Sequence, residues 1–195
     1  MRYTTSTAAL FALCLVAAPV QASTSPDPSR LPACTSAGND DACRLPIRDG
    51  DFSAGALNGW QRQGLPVVGY DASGNAYAAL PVGAAISQAV GIPTANLPQD
   101  VAYAIRFRVL GESADGSIDV RVALSDDNGN QKIDLGGTTV RAVRGEWTVG
   151  ELFVTGKQYG GAPHVHITLA NDSASGTQVQ VDDVHVVESA GVEAG

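Results

Sequence analysis

Aromatic residues are scarce. Two Trp, five Tyr and four Phe make up 6% of the 195 residues, which leaves few rings on which a flat ligand could stack. Charge is also sparse at 16%, and 20 acids against 12 bases give a net charge of −8. That acid excess excludes nucleic acid and anionic membrane surfaces as main partners. There are three cysteines and no CxxC motif, which excludes thioredoxin-type redox chemistry. No stretch carries a long 3.6-residue apolar stripe, so a helical bundle is excluded. The GxSxG, HExxH, GxGxxG and GxxxxGK[ST] signatures are all missing. Glu is confined to positions 112, 146, 151, 188 and 193. None alternates with another acid along a recognisable strand, as the paired carboxylates of a small glycosidase would. These absences together predict a protein that is not an enzyme.

What is present begins with an export signal. Residues 1–22 combine Arg2, an apolar run from Ala8 to Val20 and the small-residue site Val20-Gln21-Ala22, which is the pattern of a cleaved signal peptide. The run is short and broken by Pro19, so no membrane insertion is expected. Leu13 before Cys14 is too bulky for a lipoprotein signal. The mature chain then begins near Ser23, secreted or periplasmic, with Cys34 and Cys43 remaining. Two cysteines in an oxidising compartment either pair or stay as free thiols, and pairing is the expectation. Such a short loop contributes about 2–3 kcal/mol, mainly by restricting the unfolded segment.

Residues 23–44, rich in Ser and Pro, read as a leader closed by that disulfide loop. From Leu45 to Glu188 the text changes. Tyr103, Ile105, Phe107 and Val109 alternate with Ala104, Arg106 and Arg108. Ile118, Val120, Val122 and Leu124 alternate with Asp119, Arg121 and Ala123. Val165, Ile167 and Leu169 alternate with His164, His166 and Thr168. Val179 and Val181 alternate with Gln178, Gln180 and Asp182. Period two with one apolar face means half-buried antiparallel strands. Gly and Asn/Asp clusters at 71–74, 127–129, 136–137, 160–161 and 171–172 supply the turns. The pattern predicts an all-β, two-sheet antiparallel sandwich over residues 45–188, with a frayed tail at 189–195.

Three chemical features stand out, each with two readings. His164, His166 and His185 could ligate a transition metal, or form a polar strand face. Asp126 to Asp134 faintly suggests an oxygen-ligand calcium loop. Its sixth and twelfth positions are Gln131 and Gly137, so a hairpin reads better. Arg106, Arg108 and Arg121 lie on non-core faces. They suit polar ligands such as sugar hydroxyls, or cross-strand pairing with Asp119.

Five motifs in order also resemble one family. Asp49-Gly-Asp-Phe-Ser-Ala-Gly55 with Leu57-Asn-Gly-Trp60, Ser87-Gln-Ala-Val90, Tyr103-Ala-Ile-Arg-Phe107, Gly145-Glu-Trp147 and Val181-Asp-Asp-Val184 are similar to the cellulose- and xylan-binding type of carbohydrate-binding module. The resemblance covers 45–188. It implies a galactose-binding-domain-like sandwich of jelly-roll topology and a non-catalytic module binding a glycan or polysaccharide. Positions similar to the family's groove are Gln88, Arg121, Asn128, His164 and Thr168, with Tyr70 and Tyr77 (and Tyr159) left as ring platforms. Where relatives often carry a groove aromatic, this chain has Gln63. The resemblance also implies a structural Ca²⁺ held by Asp51 through its carbonyl, by Ser53 and by Asp182 or Asp183, with Ser53 standing where the family has an acid and Asp49 or Asp51 able to compensate. The alternative is a secreted structural or protein-interaction sandwich that has lost sugar binding.

Overall fold

The computed structural model describes residues 27–36, 42–93, 100–114, 116–126, 128, 130–157, 162–173 and 176–190. Residues 1–22, where the sequence predicts a signal peptide, and residues 191–195 of the tail lie outside them. Among the described residues, eleven strands follow a 3₁₀ turn at Pro28–Arg30. They are β1 Cys43–Arg44, β2 Gln61–Gln63, β3 Val67–Tyr70, β4 Ala76–Leu80, β5 Ala85–Gly91, β6 Asp100–Gly111, β7 Ser117–Ser125, β8 Gln131–Arg141, β9 Thr148–Lys157, β10 His164–Asn171 and β11 Val179–Ala190.

Two antiparallel sheets form a sandwich. The first runs β3-β4-β11-β6-β9, with β1 added beside β11, and the second runs β2-β5-β10-β7-β8. The alternating residues named above dictate this arrangement. Ile105, Phe107, Val109, Val184 and Val186 face inward from the first sheet, and Ile86, Val120, Val122, Ile167 and Leu169 from the second; all are buried. Burying these side chains is what holds the sheets together, at about 1.5–3 kcal/mol for each large apolar side chain. Phe107 packs flat over Gly150, where an added Cβ would meet its Cε2 at 2.6 Å.

Two boundaries move. The first sheet begins at Cys43 rather than 45, because Cys43 and Arg44 pair with Glu188 and Val187. It ends at Ala190 rather than 188, because Ser189 and Ala190 still pair with Ala102 and Val101. The leader is therefore stitched to the sandwich. Cys34 and Cys43 form the expected disulfide, with Cα atoms 4.9 Å apart. The Arg44 N–H donates to the Pro32 carbonyl at 2.7 Å, and the Cys34 N–H to the Arg44 carbonyl at 3.0 Å. No helix among the described residues is long and apolar enough to cross a membrane.

Candidate functional site

The second sheet sets polar side chains in cross-strand rows. One row runs Gln61, Ser87, Thr168, Arg121, Gly137 across β2, β5, β10, β7 and β8. Its neighbours along the strands, Ile86, Ile167, Val120 and Val122, are buried, so the row faces solvent. The adjacent row carries Ala89, His166, Ala123 and Asp134, and the row beyond it Gly91, His164, Ser125 and Gln131. A groove of about 360 Å³ follows these strands, lined by Gln61, Gln63, Ser87, Gln131, His166 and Thr168 among others.

Arg62 supplies a guanidinium in the groove lining, and local contacts fix two further groups of this face, Arg121 and His166. Arg121 Nε donates to Asp119 Oδ2 at 2.8 Å while the guanidinium stays largely exposed. Gly137 makes room for its stem, since a Cβ there would stand 3.1 Å from Arg121 Cγ. His166 is only 6% exposed, and burial pushes its imidazole below the usual histidine range. It is thus neutral at pH 7. Gln131 Nε2 lies 3.3 Å from its Nδ1. With the amide donating, Nδ1 accepts and Nε2 carries the proton as a donor. The groove offers hydroxyls, amides, an imidazole and a guanidinium, which are donors and acceptors of the kind that vicinal hydroxyls satisfy.

Arg121, His164 and Thr168 lie on this one outer face, as their strand parity requires. Asn128 sits exposed in the turn after Ser125, the residue opposite His164. Three expectations need correction. Gln88 shares parity with Ile86 and Val90 and points inward. It is 3% exposed, accepts from the Arg48 N–H at 2.7 Å and donates to the Arg48 carbonyl at 2.9 Å. Its amide closes the backbone of the 45–50 segment instead of meeting a ligand. Tyr70 and Tyr77 lie on β3 and β4, in the first sheet. Tyr77 covers Gly69 and meets the Trp147 ring edge-on at 6.2 Å. Tyr159 lies outside the described residues. Gln61, Ser87 and Gln131 line the groove without having been singled out as ligand-binding residues, and His166, read from the sequence as a metal ligand or polar strand face, lines it too. For Ser87 and His166 the signal was available, since they alternate with Ile86 and Ile167.

The metal readings fare differently. His185 is on β11, in the other sheet from His164 and His166, so the three histidines do not meet. Asp126 Oδ1 accepts the Asn128 and Asn130 N–H groups at 3.0 and 2.9 Å, so this carboxylate serves the connection between β7 and β8. For calcium, the carboxylates of the set each have protein partners. Asp51 Oδ1 is taken by Ser53. The buried Asp182 accepts from Asn75 Nδ2 at 2.8 Å and from the Asp183 N–H at 2.7 Å. Asp183 pairs with Arg108 at 3.3 Å. Among the described residues these three carboxylates form no common cluster. Asp49 Oδ2 is the one buried carboxylate oxygen at this end with no hydrogen-bond partner.

No protein-family model matches the chain, and no curated protein matches it in sequence. Solved structures do match. A family 61 carbohydrate-binding module, solved in complex with β-1,4-galactotriose, aligns at TM-score 0.52 and 20% identity over 73% of this chain and 97% of its own. A family 16 carbohydrate-binding module aligns at 0.53 and 19% identity, over 72% and 97%. The fold is that of the carbohydrate-binding modules. A cyclase from Fischerella sp. shares this module fold at 0.59 and 15% identity, over 77% and 98%. The fold alone therefore does not fix the activity.

Proposed function

We propose that this protein is a secreted, non-catalytic module that binds a soluble glycan along the outer face of β2, β5, β10, β7 and β8. The observation that carries the reading is the cross-strand row of Gln61, Ser87, Thr168 and Arg121, a continuous polar track on a rigid sheet. Amides, hydroxyls and a guanidinium can both donate to and accept from a sugar. Among the described residues that line the groove there is no Phe, Tyr or Trp. A flexible chain that hydrogen-bonds along the track suits it better than a flat crystalline surface, which needs a plane of rings. Two features favour binding over chemistry. The Asp119 carboxylate is tied to Arg121, and the His166 imidazole is bonded to Gln131. The disulfide and the N-terminal signal pattern support export.

A glycan array followed by calorimetry tests this. Arg121→Ala is expected to weaken binding of the selected glycan by about 1–3 kcal/mol, or roughly 5- to 150-fold, by removing a charged hydrogen bond. A folded protein that binds no glycan would leave the protein-interaction sandwich as the reading. Tight binding to crystalline cellulose that ignores Arg121→Ala would remove the proposed groove.

A further inference from the structure

The first sheet has an outer face of its own, and it is the better furnished of the two. Arg106 and Arg108 project from β6 between the buried Ile105, Phe107 and Val109. Beside them stand His185 and Asp183 of β11 and Val149 of β9. The leader turn, Asp27-Pro28-Ser29, forms the opposite wall. Together these line an open groove of about 500 Å³, within the size range of small-ligand sites. The wall is anchored. Pro28 is buried, Arg44 Nη1 reaches the Ser29 carbonyl at 3.4 Å, and the Cys34–Cys43 bond ties the segment to β1.

Charge and shape together indicate what this open groove takes. Arg106 pairs with Glu151 at 3.4 Å and Arg108 with Asp183 at 3.3 Å, and Asp27 adds a further acid at the wall. Cations and carboxylates alternate and nearly cancel, so neither a strongly anionic nor a strongly cationic ligand gains from entering. Adjacent guanidinium donors and carboxylate acceptors instead match a molecule whose groups each donate and accept, as a neutral polyol does. The lining itself presents no exposed Phe, Tyr or Trp side chain among the described residues; rings stand elsewhere on the same sheet. Arg108 stacks over Trp147 at 5.0 Å from the ring centre, and on β9 the Phe153 ring is 57% exposed. Val149, 64% exposed, supplies an apolar wall.

We propose that this open groove is a second glycan-binding site, for a neutral sugar unit, on the sheet opposite the groove of the second sheet. It does not rest on the groove reading. Two sites on opposite faces make one domain bivalent, able to hold two glycan chains at once.

The test is an NMR titration of the isotope-labelled, disulfide-bonded mature protein with β-1,4-galactotriose, cellotetraose and xylotetraose. Two sets of shifting amides are expected, one on β5, β7 and β10 and one on β6, β9 and β11. Val149→Arg, at an exposed position, fills the open site and should weaken the second set at least tenfold while sparing the first. Arg121→Ala should do the reverse. Shifts confined to β5, β7 and β10 and indifferent to Val149→Arg would overturn the second site and leave the groove standing. Shifts confined to β6, β9 and β11 would support the second site and overturn the groove. No shift with any of the three sugars would overturn both.

Discussion

Thr168 stands directly opposite Arg121 across β10 and β7, and Asp119, two residues before Arg121 on the same face, grips its guanidinium at 2.8 Å. The ion pair is exposed, so it adds little to stability; its consequence is to aim the arginine along the track.

Asp119→Ala should therefore weaken glycan binding less than Arg121→Ala while shifting the unfolding free energy by no more than about 1 kcal/mol. The double variant should bind like Arg121→Ala alone, because the two residues act as a unit. Additive losses in calorimetry would mean that Asp119 contacts the sugar itself.

Burial holds His166 below the ordinary histidine value of 6.5, and the same cause acts on His185. The folded state thus takes up these protons less readily than the unfolded chain. Stability from this source is complete above pH 6.5 and falls as pH drops through 6.5 towards the lower folded values. Urea denaturation at pH 7.5 and 5.0 should show a loss on acidification that is smaller in His166→Gln. An identical loss in both proteins would contradict the assignment.

Gly150→Ala should destabilise by about 1–3 kcal/mol. The new methyl would press into the Phe107 ring, and both strands are tied into the sheet, so little can yield. Thermal melts of Gly150→Ala and of Gly150→Ala with Phe107→Leu check this. The second change should recover part of the loss; a fully stable single variant would contradict the packing described.

Replacing Cys34 and Cys43 with Ser should cost about 2–3 kcal/mol. It should also loosen the leader wall and weaken sugar-induced shifts on β6, β9 and β11, but not those on β5, β7 and β10. Equal effects on both sets would indicate general destabilisation instead.

Excess chelator should leave the melting temperature of calcium-exposed protein unchanged. Ser53, Asn75 and Arg108 hydrogen-bond or ion-pair with the carboxylates of Asp51, Asp182 and Asp183, which form no common cluster among the described residues. A lowered melting temperature, by the linkage of binding to stability, would show that Asp51, Asp182 and Asp183 regroup around an ion.

The alternation of apolar residues made the sandwich legible, because burial on one face leaves a strand no other register. The same parity placed Arg121, His164 and Thr168 together. It also contained the inward turn of Gln88, between Ile86 and Val90, which the family pattern obscured. Tyr70 and Tyr77 were misplaced because sheet membership is a long-range property: nothing local assigns β3 and β4 to the partner sheet. Gln61 and Gln63 belong to a three-residue strand that is exposed throughout, so no period marks it. The open groove on the first sheet was hidden because one wall comes from a leader whose composition reads as a spacer.

The edge of β11 has two guardians. β4 pairs with Val179 to Val181, and further along the segment around β1 takes over, with Leu45 donating to Val186 and Val184 donating to Gly50. A chain nicked or shortened in this segment would keep most of its core but bare a run of unpaired backbone donors and acceptors on a Val-rich strand. Such an edge invites strand addition from another molecule. The 43–50 segment is thus also a barrier to self-association, and keeping it whole bears on whether the protein stays dispersed.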